Sequence, residues 1–459
     1  MKTFTIHTLG CKVNQYESQQ IRQLCEQAGL SAAAREADLV VVNTCCVTHV
    51  ASAKSRQAVA RLCRKHPSAR VVVAGCLPVG QDAELASLPE NCLIVKDKKQ
   101  LPDVLNMLLQ DPRRGHQTHS KPLNHCEIKD KNAPLNVSEN AQSVSKPTSN
   151  DTLLNAYKGQ TRAFLKVQDG CDAYCTYCII PKIRTEVCYK DVKSVLQEAA
   201  NLVAAGHKEI VLTGIFLGAY GQSTARRKHW DNAKRDSLAE LVAKVASVPG
   251  LVRLRLSSLE PADVTDRLLE VFQSYPNIMP HLHLPLQSGA PEILKRMARQ
   301  YKIEDFLEVV NRINAALDRP AITTDIIVGF PGETEAHFQQ TMDIARRVQF
   351  AKIHVFSFSI RKNTAAEKLS PKVPAAAIRD RSERLQALDR QLQDNFCRQF
   401  IGQEVSVLIE STRPPYGRCE RYFQVDLSAH PDAAVFKKGQ IVRTTLTEAA
   451  LTSSFTDNQ

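Results

Sequence analysis

The hydrophobic pattern of the N-terminal third alternates apolar runs with amphipathic stretches. Three apolar runs begin at Phe4, Leu39 and Val71, and helix-like stretches follow the first two at residues 17–29 and 50–66. Short apolar runs indicate buried strands, and their alternation with helices favours a parallel sheet. We therefore expect an α/β domain with a doubly wound parallel sheet over residues 1–110.

The same alternation returns in the middle of the chain. Six strands separated by amphipathic helical stretches are predicted at 163–167, 209–213, 252–257, 281–286, 322–328 and 352–358. Six β/α units are typical of a partial barrel, and the chemistry of such barrels lies at the carboxyl ends of the strands. We expect a partial (β/α)6 barrel over residues 160–397.

The remaining segments predict a linker and a small terminal domain. Residues 111–159 lack periodicity and are rich in Ser, Asn, Lys and Pro, which is typical of a mobile polar linker. We interpret its His116, His119, His125 and Cys126 as parts of that connector, not as a metal site. After a helical run at 376–399, short alternating segments at 402–410, 418–427 and 439–446 predict a small β-barrel over residues 398–459.

Composition limits the classes of function. The net charge of +12 makes a polyanionic partner plausible. No segment approaches the roughly 18 uninterrupted apolar residues of a membrane span, and the N-terminus predicts a strand, not a signal peptide. Fourteen cysteines without an export signal indicate a cytoplasmic protein, in which clustered cysteines more often serve metals or catalysis than disulfides.

Cys171, Cys175 and Cys178 form a CxxxCxxC array directly after a predicted strand. Three thiolates at this spacing can hold three corners of a four-iron cluster, which leaves the fourth iron open to a ligand. A zinc site closed by Cys188 is the alternative, since structural zinc prefers four ligands. We favour the open iron–sulfur cluster, and with it an enzyme.

A second trio of cysteines ends the three N-terminal strands. Cys11, Cys45 and Cys76 each follow an apolar run. Ligand crevices of open parallel sheets lie beyond the carboxyl ends of the strands, so these thiols are expected to converge on a second cluster. Three unrelated strand-end cysteines remain the alternative, since Cys25, Cys63 and Cys92 show that isolated cysteines occur here.

Longer phrases point to a known family. The array with Tyr177 before its last cysteine resembles the signature of radical S-adenosylmethionine (SAM) enzymes. The segments 283–289, 295–301 and 325–334 resemble the methylthiotransferase branch, and the likeness covers nearly the whole chain. The resemblance implies two [4Fe–4S] clusters and SAM, with the catalytic cluster on Cys171, Cys175 and Cys178 and the auxiliary cluster on Cys11, Cys45 and Cys76. Its Asn-Thr-Cys pattern assigns Cys45 and leaves the adjacent Cys46 as a packing residue.

Polar residues at the ends of the central strands are the predicted SAM contacts. We expect Thr213, Gly214, Ser258 and Gln287 to bind SAM together with Tyr177 of the cluster loop. Glycine at 214 would permit close backbone approach. Ordinary solvated loop chemistry is the alternative for each of these residues. We interpret His281 and His283 as core residues.

The resemblance also extends to a substrate. Residues 8–18 resemble the subfamily that acts on N6-threonylcarbamoyladenosine at tRNA position 37, and the C-terminal segments resemble the RNA-binding TRAM domain, with Arg418, Arg421 and Tyr422 as candidate RNA contacts. This implies a radical SAM-dependent transfer of a methylthio group to adenine C2 in the tRNA anticodon loop. It also implies an electron-donating reductase or flavodoxin-like protein and a sulfur donor as partners. Alternatives are isopentenyl-adenosine 37, a ribosomal-protein side chain, or a noncatalytic iron–sulfur RNA-binding protein.

Two positions depart from the family pattern. Thr185 follows the retained Arg184 where a glycine is usual, and Asn363 replaces another glycine. Asparagine tolerates left-handed backbone better than most residues, so we expect the second change to be mild. Thr185 raises a question about substrate fit.

Overall fold

The chain is described from a computed structural model that covers residues 1–34, 36–80, 92–97, 100–110 and 152–451. It divides into two compact units. The first comprises Met1–Gly10, Gln20–Cys46 and Val50–Lys146, and the second comprises Cys11–Gln19, Val47–His49 and Pro147–Gln459. None of the helices in the described part of the chain combines the length and apolar character that a membrane crossing requires.

The first unit is built on a parallel five-stranded sheet. Its strands are β1 (Thr3–Thr8), β2 (Ser31–Ala32), β3 (Leu39–Thr44), β4 (Arg70–Gly75) and β5 (Cys92–Ile94), in the order β2-β1-β3-β4-β5. The helices are α1 (Lys12–Gln27), α2 (His49–Lys65), α3 (Leu77–Gly80) and α4 (Leu101–Gln110). The first residues of α1 and α2 belong to the second unit.

Both faces of this sheet are buried. Val41 of β3 packs with Phe4 and Ile21 in one apolar cluster, whereas Val40 packs with Val59 of α2 in another. Successive side chains of a strand point to opposite faces, so an unbroken apolar strand buries both. This confirms the predicted doubly wound α/β arrangement.

The second unit contains the predicted partial barrel. Its strands are β6 (Arg162–Asp169), β7 (Cys188–Tyr189), β8 (Glu209–Gly214), β9 (Arg253–Leu256), β10 (His281–His283), β11 (Ala321–Val328) and β12 (Lys352–Ser357). Except for the short antiparallel β7, neighbouring strands are parallel, in the orders β6-β8-β9 and β10-β11-β12, and a parallel bridge between Leu254 and Ile278 continues the sheet from β9. The six predicted β/α units are therefore present.

Amphipathic helices cover the outer face of the barrel. After the four-residue α5 (Ile180–Ile183), which follows Cys178, they are α6 (Val192–Ala204), α7 (Ser237–Ala246), α8 (Asp266–Ser274), α9 (Pro291–Arg296), α10 (Ile303–Ala316), α11 (Glu335–Val348) and α12 (Ala375–Arg398). Side-chain caps fix several of their starts. Asp191 accepts the backbone N–H of Ser194 at α6, and Thr265 accepts that of Leu268 at α8. These caps satisfy N–H groups that have no partner within the helix.

One strand is shorter than its sequence predicts. The apolar run at 281–286 forms strand only as far as His283. Pro285 has no N–H to donate, and the N–H of Leu286 donates to the Thr324 side-chain oxygen at 2.8 Å instead of a backbone carbonyl.

The predicted linker also differs at its C-terminal end. Residues 152–159 have no regular secondary structure, yet Leu154 and Tyr157 are buried in the apolar core of the barrel. This end of the segment is packed and not a solvated connector. His116, His119, His125 and Cys126 lie outside the described residues.

The C-terminal segments form an antiparallel sheet. Its strands are β13 (Glu404–Thr412), β14 (Pro415–Cys419), β15 (Gln424–Asp426) and β16 (Ile441–Thr445), in the order β15-β14-β13-β16. The segment predicted at 418–427 is two strands, because the chain turns at Tyr422, whose φ is +77°. A small β domain is therefore present, as predicted.

Buried ion pairs join this sheet to the barrel. Glu209 of β8 accepts from Arg255 at 2.8 Å and from Arg253 at 3.4 Å, and the side chains of all three are at most 2% exposed. Arg253 also donates to the Ser406 Oγ at 2.9 Å, and Arg255 to the carbonyl of Cys419 at 2.7 Å. The arginines thus hold two strands of the C-terminal sheet.

The three residues of this domain that were expected to contact RNA take part in contacts within the protein. The ring of Tyr422 is stacked on His281, with centroids 4.2 Å apart, and its hydroxyl accepts from Arg162 at 2.8 Å. Arg418 is 2% exposed. Arg421 packs over Phe400 and donates to the Asp318 carboxylate. Arg418 and Tyr422 are thus buried at the barrel–sheet interface and are not free to contact RNA, whereas an RNA contact of the partly buried Arg421 stays a prediction.

Candidate active site

The loop that carries Cys171, Cys175 and Cys178 begins at a glycine that the geometry requires. Gly170 follows β6 with φ of +76°, and a Cβ atom there would lie 1.8 Å from the carbonyl oxygen of Glu186. The N–H of Cys171 donates to the carbonyl of Arg184 at 3.0 Å, and the N–H of Cys178 donates to that of Cys175 at 3.0 Å. The conformation of the loop is therefore fixed by its own glycine and backbone hydrogen bonds.

The thiols of this loop are close enough to affect one another. Burial raises the pKa of Cys171 to about 12, and Cys178 and Cys175 also act to raise it. Burial and Cys175 likewise raise the pKa of Cys178 to about 12. Because iron binds thiolates, ligation must offset this cost of charging the sulfurs. Cys188, the fourth thiol of the zinc alternative, lies in β7 opposite Asp169 of β6.

A buried arginine lies beside one of these thiols and favours the charged form of another, Cys178. The Nη1 atom of Arg299 lies 3.2 Å from the Sγ atom of Cys175, and its Nη2 atom pairs with Glu260 at 2.7 Å. The side chain of Arg299 is 7% exposed. A fixed cation in contact with this loop suits a cluster whose ligands are anionic. Arg299 lies within the family-like segment 295–301, but at 124 positions after Cys175 no local pattern marks it as a neighbour of that thiol.

Tyr177, a predicted SAM contact, is packed inside the site. Its ring makes an edge-on contact with Phe330, with centroids 6.4 Å apart, and its hydroxyl accepts from Arg299 at 3.4 Å. Burial raises the pKa of the Tyr177 hydroxyl well above its usual value. The phenol is therefore neutral and holds the arginine against the cluster loop.

Thr213 and Gly214 lie at the end of β8, as expected. Thr213 is 2% exposed. A Cβ atom on Gly214 would lie 2.9 Å from the Oε1 atom of Gln168. That oxygen accepts from the N–H of Phe216 at 2.7 Å, and the amide of Gln168 donates to the Gly170 carbonyl at 2.8 Å. Glycine at 214 thus makes room for Gln168, which supports the start of the cluster loop.

The other two predicted SAM contacts lie beyond the ends of β9 and β10. Gln287 adopts a left-handed φ of +62° and bonds through its backbone to Asp325 and Ile327 of β11. Ser258 is exposed. Its neighbour Ser257 continues the alternation of Arg253 and Arg255, and its buried hydroxyl finds no hydrogen-bond partner among the described residues. A buried hydroxyl without a partner is available to a ligand, so Ser257 is a further candidate beside Ser258, whose SAM contact stays a prediction.

Polar side chains from three adjacent strands share one face of the barrel. His283 pairs in register with Thr323, and Asp325 pairs with His354. The Nδ1 atom of His283 lies 2.9 Å from the Thr323 hydroxyl, and its Nε2 atom lies 3.3 Å from Asp325. Burial alone would raise the pKa of Asp325, but the adjacent histidines and Lys12 hold it below its usual range. The opposite face carries the apolar residues that pack on the helices.

The first unit places two cysteines of the second trio side by side. Thr44 and Gly75 are partners at the ends of β3 and β4, and Cys45 and Cys76 are the residues that follow them. The N–H of Cys76 donates to the Thr44 carbonyl at 2.9 Å. Cys46 is fully buried, and its thiol donates to the Cys76 carbonyl at 3.2 Å. Two of the three strand-end thiols thus share one sheet edge.

Cys11 belongs to the second unit and begins the segment that leads into α1. Its carbonyl accepts the N–H of Gln15 at 3.1 Å, and its side chain is exposed. Glu17, six residues later, accepts from Arg184 at 2.9 Å, and Asp169 accepts from the same guanidinium at 2.7 Å. Arg184 therefore connects the segment that carries Cys11 to the loop that carries Cys171.

Asn363 behaves as its residue type predicts. Its φ is +67°, and its N–H donates to the Glu367 carboxylate at 2.9 Å. Asparagine thus takes the left-handed conformation that glycine usually supplies there. Thr185 is exposed next to Arg184.

Comparison with known proteins identifies the family. Residues 3–96 match a family described as Uncharacterized protein family UPF0004, and residues 165–345 match the Radical SAM superfamily. The chain is 36% identical over 413 residues to the threonylcarbamoyladenosine tRNA methylthiotransferase MtaB of Bacillus subtilis, in a match that covers 89% of this chain and 85% of that protein. The chain belongs to the radical SAM methylthiotransferase family.

Other relatives agree with this assignment. MtaB of Thermotoga maritima is 35% identical and matches 89% of this chain and 87% of its own length. The tRNA-2-methylthio-N(6)-dimethylallyladenosine synthase of Mycobacterium bovis is 33% identical and matches 98% of this chain and 85% of its own length. The solved radical SAM methyltransferase TsrM of Kitasatospora setae, at 16% identity, matches 78% of this chain and 72% of its own with a TM-score of 0.52, which supports the fold alone.

Membership of this family implies a [4Fe–4S] cluster and SAM. The described residues fit a cluster in the loop after β6, since its three thiols affect one another and the Arg299 guanidinium lies beside Cys175. They also fit a polar ligand, because the buried Ser257 hydroxyl at the carboxyl end of β9 has no partner within the described part of the chain.

Proposed function

We propose that this protein transfers a methylthio group to C2 of N6-threonylcarbamoyladenosine at position 37 of tRNA. The observation that carries the proposal is the clustered trio of Cys171, Cys175 and Cys178 beside a buried arginine, in a chain 36% identical to a relative named for this reaction. A cluster held there would supply the electron that cleaves SAM. A C–H bond of adenine has no useful acidity, so its replacement requires radical chemistry.

The residues around the trio have separate tasks. Cys171, Cys175 and Cys178 hold the cluster, and Arg299 offsets the charge of their thiolates. Tyr177 fixes Arg299, and Ser257 with the polar strand ends Thr213 and Gln287 binds SAM. Arg253 and Arg255 hold the C-terminal sheet against the barrel.

A second cluster on Cys11, Cys45 and Cys76 is part of the same proposal. The adjacent positions of Cys45 and Cys76 at one sheet edge support it. Anaerobic reconstitution of the full chain should then give about eight iron atoms per chain, which is two four-iron clusters. A content of about four would contradict the second site and leave the first. The proposed partners are tRNA, a reductase or flavodoxin-like electron donor, and a sulfur donor.

The nucleoside specificity rests on the relatives and on residues 8–18. Relatives named for the threonylcarbamoyl nucleoside match at 34–36% identity, against 33–34% for those named for the dimethylallyl nucleoside. The dimethylallyl nucleoside is therefore the second candidate, supported by a match over 98% of the chain.

Nucleoside mass spectrometry tests the proposal. The tRNA of a strain that lacks the gene should lose the 2-methylthio form of N6-threonylcarbamoyladenosine and retain the unmodified precursor. Expression of the wild-type chain should restore it, and the matched Cys175→Ala variant should not. Loss of the methylthio dimethylallyl nucleoside would favour the second candidate. An unchanged tRNA profile would refute a tRNA substrate.

A further inference from the structure

A segment rich in cations follows β8 at the edge of the barrel that carries the cluster loop. Residues 224–235, which we call the basic loop, contain five lysine or arginine residues and one carboxylate, Asp231. The cationic members are Arg226, Arg227, Lys228, Lys234 and Arg235. None of these residues has a task in the proposed chemistry.

The basic loop is fixed to the cluster loop. Asp172, which directly follows Cys171, accepts from the Thr224 hydroxyl and from the N–H of Ala225, each at 2.7 Å. Arg226 donates in turn to the Asp172 carbonyl at 2.9 Å. The position of the loop beside Cys171 is therefore defined by three hydrogen bonds to a single residue.

Part of the loop is structural. Arg227 pairs with Asp263 at 2.6 Å and with Glu260 at 3.3 Å, and its guanidinium lies 4.5 Å from the centroid of the Trp230 ring. The indole N–H of Trp230 donates to the Thr224 carbonyl at 2.9 Å. These contacts turn Arg227 inward and hold the segment in one conformation.

Two of the other cations, Arg226 and Lys228, lie near an exposed aromatic ring. Lys228, Lys234 and Arg235 are exposed. Tyr174 of the cluster loop is 45% exposed, and the guanidinium of Arg226 lies 4.4 Å from its ring centroid, with the Lys228 amine 5.8 Å from the same centroid. Exposed cations next to an exposed aromatic ring form the pattern by which proteins bind single-stranded nucleic acid, with phosphates on the cations and bases stacked on the ring.

We propose that the basic loop and Tyr174 bind the single-stranded loop of the RNA substrate next to the cluster. Lys228, Lys234 and Arg235 contact phosphates, and Tyr174 stacks on a base. This inference rests on the proposed function, which supplies the RNA. The basic loop is a second candidate surface for RNA beside the C-terminal sheet, where Arg418 and Tyr422 are buried and Arg421 pairs with Asp318.

Binding of a synthetic anticodon stem–loop RNA tests this surface. Fluorescence anisotropy of the labelled RNA would measure its affinity for the reconstituted full chain at a series of salt concentrations. The triple variant Lys228→Gln, Lys234→Gln, Arg235→Gln should lower the slope of log affinity against log salt by about 2, at ~0.7 per phosphate contact. Its affinity near physiological salt should fall roughly 10- to 100-fold.

Two comparisons separate specific contacts from general charge. A control triple variant, Lys244→Gln, Arg347→Gln, Arg390→Gln, removes the same charge from exposed positions on the outer helices and should keep the wild-type slope. Tyr174→Ala should lose roughly 5- to 100-fold in affinity with an unchanged slope, because stacking involves no counterion release. Tyr174→Phe should retain the wild-type affinity.

Each result has a distinct meaning. If both triple variants bind with the wild-type slope and affinity, or if both lose them equally, the basic loop is not the RNA surface and the proposed function stands. If the wild-type chain itself does not bind the stem–loop, the proposed function fails and this inference fails with it. Equal iron content in all variants would show that the cluster loop is intact.

Discussion

Replacement of Glu209 is a severe test of the interface between the barrel and the C-terminal sheet. Its carboxylate is the partner of two arginines, Arg253 and Arg255, whose side chains are 2% and 1% exposed. Although burial alone would raise the pKa of Glu209, these arginines and Arg162 hold it below its usual value. Glu209→Gln therefore leaves two buried cations without their shared carboxylate.

The expected cost follows from this geometry. Removal of one partner from a buried ion pair costs about 3–5 kcal/mol. The introduced amide would keep one acceptor, and the arginines retain carbonyl acceptors in the C-terminal sheet, so we expect about 4 kcal/mol of lost unfolding free energy. With a slope typical of a large domain, this corresponds to a shift of roughly 1–2 M in the urea midpoint.

The assay uses the single tryptophan of the chain. Trp230 lies in the second unit, so its fluorescence in urea reports the unfolding of that unit. The matched control is Glu240→Gln, which breaks an exposed pair with Arg267 and should leave the midpoint unchanged. A Glu209→Gln midpoint equal to that of the wild type would refute the structural role of the buried pair.

The same variant makes a pH prediction. The folded-state pKa of Glu209 is below its unfolded value, so its stabilisation is complete above the usual glutamate pKa of about 4.3 and is lost as pH falls through the folded pKa. The difference in unfolding free energy between the wild type and Glu209→Gln should be constant from pH 7 to about 5 and should become smaller below that pH. A difference that grows on acidification would contradict the assigned sign.

Three further substitutions test individual positions. Gly170→Ala should displace the cluster loop, because the added Cβ would lie 1.8 Å from a backbone carbonyl oxygen. The iron bound on anaerobic reconstitution should then fall by roughly half. The control Gly159→Ala changes a left-handed glycine with nothing within 4 Å of the added Cβ and should leave the iron content unchanged. Cys45→Ala should lower the iron content by a similar amount, whereas Cys46→Ala should not, and equal losses would refute the assignment of Cys45 as the ligand. Asn363→Gly should change the thermal unfolding midpoint little. Asn363→Val should lower that midpoint by an amount equivalent to about 1–2 kcal/mol of unfolding free energy, because a β-branched residue is strained at φ of +67°. Equal midpoints for the two variants would contradict this.

The order of strands and helices could be predicted from the sequence because burial imposes a local pattern. The apolar runs at Leu39 and Val71 became strands buried on both faces, and the six central runs became parallel barrel strands. The CxxxCxxC array could be identified for the same reason, since its three cysteines lie close together along the chain. The left-handed backbone at Asn363 agrees with the glycine that the family usually has there and with the tolerance of asparagine for this conformation.

Residues that act through distant contacts were not predictable. Arg299 reaches Cys175 across 124 positions, and Arg184 reaches Glu17 across 167. A basic residue in a sequence carries no sign of whether its side chain will be buried beside a thiol or exposed to solvent. Arg418 illustrates the same difficulty, because it was expected to be exposed and to contact RNA but is buried in a domain interface.

The sequence by itself therefore determined the fold class, the cluster motif and the family resemblance, because each of these depends on short-range patterns of side-chain polarity and spacing. Only the tertiary structure decided which charged residues serve the interior and which remain exposed. The reason is physical: burial and ion pairing depend on contacts between strands and loops that are far apart along the chain. The inward Arg227 and the outward Lys228, adjacent in sequence and both cationic, differ in that respect.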